Sequence, residues 1–185
     1  QVELTSIQVQ RSKDREDPAH ARNYKRMVPI QYQESVHCLA FALHVVSHVR
    51  GGAEPALAEG CSVTASAEPY EPPNPEIYPY VVDGKCQYHI RLGSLTIDGT
   101  TDFKRGGSWA KRRIVRGTGD GEPFTVEAEF LEGHKRLVIN GEPHNDVAAT
   151  DSYQEVIKSF AAWSRAVPHE QLMAGLYPNP AFARL

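Results

Sequence analysis

The run Ser35-Val36-His37-Cys38-Leu39-Ala40-Phe41-Ala42-Leu43-His44-Val45-Val46-Ser47-His48-Val49 is the most apolar stretch of the chain, and a compact fold has to bury it. Two periods compete within it. Leu39, Leu43, Val46 and Ser47 recur at the i, i+4, i+7, i+8 spacing of one helical face, whereas Leu39, Phe41, Leu43 and Val45 alternate as a strand would. Length decides between them, because strands seldom exceed about 10 residues and a helix of this length is ordinary. The sequence therefore predicts a helix over 35–50, with Ser35 as its N-cap and Arg50-Gly51-Gly52 as a basic last turn followed by glycines.

The other elements are read from shorter signals. Residues 2–9 are rich in β-formers and predict a first strand, and 11–26 is a charged loop. Residues 61–67 predict another strand, and 68–79 is a connector whose prolines forbid a regular helix. From 77 to 140 the signals are those of an antiparallel meander. Asp83-Gly84 and Asp98-Gly99 read as turns, and Gly117 to Pro123 as the loop of a hairpin. Phe124, Val126, Ala128 and Phe130 share one face of a strand, and a further strand over 134–140 ends at Asn140-Gly141. A second helix over 151–166 carries the capping box Ser152-x-x-Glu155 and a core-facing stripe of Tyr153, Val156, Ile157, Phe160 and Trp163. Residues 170–185 form a C-terminal tail.

At 185 residues the chain suits a single domain over 1–185, long enough to bury a real core. Its formal net charge of −3 gives no global pull toward nucleic acid or an anionic membrane, and no run of about 20 apolar residues exists to span one. Gln1 in place of a starting methionine is compatible with removal of a targeting segment, hence with export or an organelle; no compartment follows from it. Cys38, Cys61 and Cys86 form no CxxC pair and no zinc spacing. In an oxidising compartment the pairing predicted is Cys61 with Cys86, since Cys38 lies in the run that is to be buried.

Three constellations bear on chemistry. With Ser35 as cap, Cys38 falls at the third helical position, where free amides favour a thiolate. His134, Asn140 and Asp146 follow downstream, and Gln33 lies just upstream. Cysteine, then histidine, then Asn or Asp resembles the chain order of papain-like thiol hydrolases, and Cys-Leu-Ala-Phe-Ala is loosely similar to their helix start. The resemblance implies Cys38 as nucleophile, His134 as base, Asp146 or Asn140 orienting it, and Gln33 as an oxyanion donor. No glycine precedes Cys38, Tyr32 stands six residues before it, and Lys135-Arg136 follow His134, all of which depart from that pattern.

On a helix His37, His44 and His48 share a face, and His44-x-x-x-His48 has a spacing that suits zinc or copper; these two are weak metal candidates. Lys104, Arg105, Lys111, Arg112, Arg113 and Arg116, with Trp109 among them, form a basic run that fits phosphate or RNA. A strand pairing that sets Arg113 against Glu127 and Lys111 against Glu129 absorbs those charges within the sheet instead. Gly117-x-Gly119-x-Gly121 is no dinucleotide fingerprint, since a strand follows it, and no cofactor is implied.

Together these readings predict an α+β fold, an antiparallel sheet of five to seven strands with the helices near 35–50 and 151–166 on one face. The predicted function is that of a non-catalytic recognition or structural module within a larger protein assembly. Its contacts would be made through Pro72, Pro73, Pro75, Tyr78, Tyr177 and Phe182, with the thiol hydrolase second.

Overall fold

The computed structural model describes residues 1–12, 30–50, 60–70, 82–103, 110–131, 134–144 and 152–166. The fold is sheet-rich α+β, built on one eight-stranded mixed sheet. Its strands are β1 (Val2–Ser12), β2 (Cys61–Tyr70), β3 (Val82–Leu92), β4 (Leu95–Asp102), β5 (Ala110–Gly119), β6 (Glu122–Leu131), β7 (His134–Ile139) and β8 (Glu142–Pro143). They lie in the order β2-β3-β4-β1-β5-β6-β7-β8.

The first strand to be made thus sits in the middle. β1 pairs antiparallel with β5 on one edge and parallel with β4 on the other, which corrects the expectation of a purely antiparallel meander. Parallel neighbours cannot be joined by a tight turn and need a crossover, usually helical. Helix α1 (Val36–Arg50) lies in the chain between β1 and its parallel partner and packs over β1 and β4. Cys38, Ala42 and Val46, at i, i+4 and i+8, are its buried stripe. They meet Leu4, Ile7, Val9, Cys86, Tyr88, Leu95 and Ile97 of the sheet. The odd spacing of Leu4 against Ile7 and Val9 has a cause, a register shift between Leu4 and Ser6 in the β1–β5 ladder.

Four local expectations fail for physical reasons. Asp83-Gly84 lies inside β3 and Asp98-Gly99 inside β4, and none of the four residues has a positive φ. Gly99 is there for space: a Cβ on it would stand 1.8 Å from Cζ of Tyr88, its cross-strand partner. The turns fall instead at Gly93 (φ 65°), at Asp120-Gly121 (φ 51° and 90°) and at Asn140-Gly141 (φ 52° and 86°), the last two with the positive φ pair of type I′.

The two-residue Asp120-Gly121 turn also moves the β5–β6 register by one from the expected pairing. Arg112 faces Glu129, and Arg113 faces Ala128. A slip of one residue sends each side chain to the other face. Arg113 accordingly lies on the helix side, its guanidinium 4.5 Å from the Phe41 ring and 5.2 Å from that of Phe130, a cation–π clamp between α1 and β6.

Ser35 does not cap α1. The helix is preceded by a π-helical turn, Gln31–Ser35, and the Ser35 hydroxyl is buried 2.7 Å from that of Thr101 on β4. β2 runs to Tyr70, with Pro69 sitting at a register shift where the ladder tolerates a missing N–H. Helix α2 (Ser152–Ala166) forms as expected, but of its expected core stripe Ile157 and Phe160 are exposed. Among the described residues no helix is long and apolar enough to cross a membrane.

Candidate functional site at the head of helix α1

A single turn of π-helix inside or before an α-helix is uncommon and recurs at functional sites, because it breaks the regular hydrogen-bond ladder to re-aim side chains. Here each described member of the turn that reaches inward finds a partner on a different strand. Glu34 is buried and forms an ion pair with Arg11 near the C-terminal end of β1. Ser35 reaches Thr101 at the C-terminal end of β4. Gln31 donates through Nε2 to Asp83 Oδ2, 2.8 Å away, at the start of β3. β1 and β4 end, and β3 and β5 begin, at this one end of the sheet.

The Gln31 contact has a chemical consequence. A carboxylate only accepts, so Gln31 must present its nitrogen to Asp83 and its oxygen to the other side. That oxygen is buried and has no hydrogen-bond partner among the described residues. A buried acceptor left unpaired costs stability and is a place where a ligand hydroxyl is welcome. Tyr32 is exposed beside it, and His37, half-buried, follows one residue into α1. The carboxylate and the amide together suit recognition of hydroxyl groups. Sequence reasoning assigned no role at such a site to Arg11, Glu34 or Asp83. Asp83 carried only a turn signal, and nothing in the residue pattern announces a π turn.

Cys38 is not presented as the expected nucleophile. Cys38 lies well inside the helical segment that begins at the π turn, so the exposed amides of a helix start are not beside it. Its side chain is 2 % exposed and packed against Tyr88. Burial pushes the thiol up to about 11, more than the nearby Arg11 and Arg113 charges pull it down. Relative to an unfolded thiol near 9.0 this favours the protonated folded state. The stabilisation is full below pH 9 and is lost as pH rises through about 11. In the native protein at pH 8, iodoacetamide should modify Cys61, which is exposed, and leave Cys38 untouched until denaturant is added; mass spectrometry of digested protein reads the difference.

His134 opens β7, opposite Leu131, and Asn140 stands in the β7–β8 turn, where its amide oxygen accepts from Thr125 N–H at 2.8 Å. Asp146 and the six surface residues named for partner contact, Pro72, Pro73, Pro75, Tyr78, Tyr177 and Phe182, lie outside the described residues, as do Lys104, Arg105 and Trp109. The side chain of Gln33 is likewise not described. Cys61 and Cys86 are free and cannot bridge. In the β2–β3 ladder Cys61 faces Leu92 and Cys86 faces Ala67, six residues or about 20 Å along the strand.

The His44 and His48 rings lie 4.5 Å apart, but among the described residues no three His, Cys, Asp or Glu side chains gather to hold a metal. The described cations of the basic run are engaged within the fold. Arg112 binds Glu127 at 2.8 Å, Arg116 binds Gln8 at 3.1 Å, and Arg113 is held by its two aromatic rings. Arg112 also holds the Glu127 carboxyl below its ordinary range by that hydrogen bond.

No model of a known protein family matches the chain, and no curated protein matches it. Solved structures do. The crystal structure of the D-galactose-1-dehydrogenase protein from Rhizobium etli superposes with a TM-score of 0.53 at 16 % identity, over 89 % of this chain and 46 % of that one. UDP-N-acetylglucosamine 3-dehydrogenase GnnA from Acidithiobacillus ferrooxidans gives a TM-score of 0.52 at 12 % identity, over 98 % of this chain and 49 % of that one. The chain spans about half the length of each. These likenesses overturn the expectation of a non-catalytic contact module and, with Cys38 buried, that of a thiol hydrolase: the fold is one that sugar dehydrogenases carry.

Proposed function

We propose that the chain is the sheet half of a sugar dehydrogenase and supplies the sugar side of its active site. The observation that carries this reading is that nearly the whole chain superposes on about half of two enzymes, one named for galactose and one for a UDP-linked amino sugar. The head of α1 supports it, since the Gln31 oxygen, unpaired among the described residues, and the Asp83 carboxylate are groups that sugar hydroxyls can satisfy.

Oxidising a hydroxyl needs a group to take its proton while a cofactor takes hydride. In this reading His37, at the second position of α1, takes that proton. The described residues do not fit a nicotinamide dinucleotide. Gly117, Gly119 and Gly121 lie in the β5–β6 hairpin rather than at a strand-to-helix turn, so no helix N-terminus is offered to a pyrophosphate. What the chain contributes is the orientation of the sugar and the fate of its hydroxyl proton.

Calorimetric titration of the chain with D-galactose and with UDP-N-acetylglucosamine tests the reading. At least one should bind in the millimolar range or tighter. Gln31→Ala should weaken that sugar about tenfold, the value of one hydrogen bond of roughly 1.4 kcal/mol. Absence of binding by either sugar, or a Gln31→Ala variant that binds as the parent does, would sink it.

A further inference from the structure

The two edges of the sheet are built in opposite ways. At one end β8 is two residues long and contains Pro143, which has no N–H to offer a newcomer. At the other end lies β2, ten residues long. Residues 61–69 are all exposed, with Val63 at 60 %. Edge strands are ordinarily guarded by charge, proline, a bulge or a covering element. From Cys61 to Ala67 there is neither a charged residue nor a proline, and the ladder to β3 is regular until the shift at Glu68/Pro69. Half of the backbone N–H and C=O groups of such a strand point away from β3, its one neighbour among the described residues, and are ready to pair.

The geometry points to a second copy of this chain as the partner, adding its own β2 antiparallel across a two-fold axis through Thr64. That register overlaps the whole uncharged window with itself. It sets Thr64 against Thr64, Ser62 against Ser66, Val63 against Ala65 and Cys61 against Ala67. Hydroxyls then meet hydroxyls on one face and small apolar groups meet on the other, the pairings that stabilise cross-strand neighbours. Glu68 falls opposite Gly60, so no like charges face each other. The contact uses the same edge on both copies and closes on itself, giving a dimer with one continuous sheet. Seven paired residues are a small interface, so the dimer is concentration-dependent rather than obligate.

Sedimentation velocity over a concentration series should show a reversible monomer–dimer equilibrium. Thr64→Lys places two ammonium groups face to face at the axis and should weaken the dimer at least about tenfold. Because Thr64 is exposed, the variant's thermal unfolding should match the parent's. In a Cys61→Ser background, Thr64→Cys should form a disulfide dimer on mild oxidation. Ser62→Cys, whose two copies lie about 13 Å apart in this register, should not. A chain that stays monomeric throughout, a dimer indifferent to Thr64→Lys, or equal cross-linking at 62 and 64 would overturn the pairing. Sugar binding at the head of α1 is measured independently, so either reading can fail alone.

Discussion

Replacing Arg11 by methionine should lower the free energy of unfolding by about 3–5 kcal/mol, a fall in Tm of roughly 6–20 °C for a protein of this size. The Arg11 and Glu34 side chains are 17 % and 4 % exposed, so the carboxylate left behind has little water and no other partner among the described residues. Coulomb attraction within the pair roughly repays the cost of burying both ions, and the penalty appears when one is removed alone. Arg11→Met with Glu34→Met should therefore recover most of the loss, whereas Glu34→Met alone leaves an uncompensated guanidinium. Urea unfolding of the four proteins closes the double-mutant cycle. A single-variant loss below about 1 kcal/mol would show that the pair is wetter than its burial implies. The consequence for function is direct, because Glu34 is part of the π turn that aims Gln31: the Arg11 variant should also lose sugar affinity, and the double variant should not regain it in full.

Gly117→Ala is expected to be the more damaging of two superficially alike changes in the sheet. A Cβ at Gly117 would stand 2.2 Å from the carbonyl oxygen of Glu3 and 2.9 Å from Cζ of Phe124. The first obstacle is backbone of the neighbouring central strand and cannot swing aside, so β1 and β5 must part near the Leu4/Ser6 irregularity. The cost should reach or exceed about 3 kcal/mol, the upper part of the range for overpacking. At Gly99 the obstacle is the Tyr88 ring, a side chain rather than backbone. Gly99→Ala should accordingly be rescued in part by Tyr88→Val, which removes the ring, while no side-chain replacement rescues Gly117→Ala. Chemical denaturation of the three variants separates the cases. If Gly117→Ala proves neutral, the close approach of β1 to β5 is not as described.

Much of the local structure was legible in the residues. The apolar run is helical, the β-rich segments are strands, and Asn140-Gly141 is a turn because Asn and Gly tolerate the positive φ found there. Other turn signals misled for a shared reason. Asp-Gly at 83–84 and at 98–99 carries the same chemistry as Asp-Gly at 120–121, yet only the last is a turn. What distinguishes Gly99 is a tyrosine across the ladder, and no local pattern reports a cross-strand neighbour.

The amino-acid sequence by itself determined what must be buried and which segments favour strand or helix, because those are properties of a residue and its near neighbours along the chain. Only the tertiary structure decided that β1 lies between two groups of later strands and that Gln31, Asp83, Arg11 and Glu34 meet at the head of α1. Those outcomes depend on pairings between positions at least 23 residues apart. Their free energy comes from burial and hydrogen bonds that exist only once the distant segments are together, so nothing local encodes them.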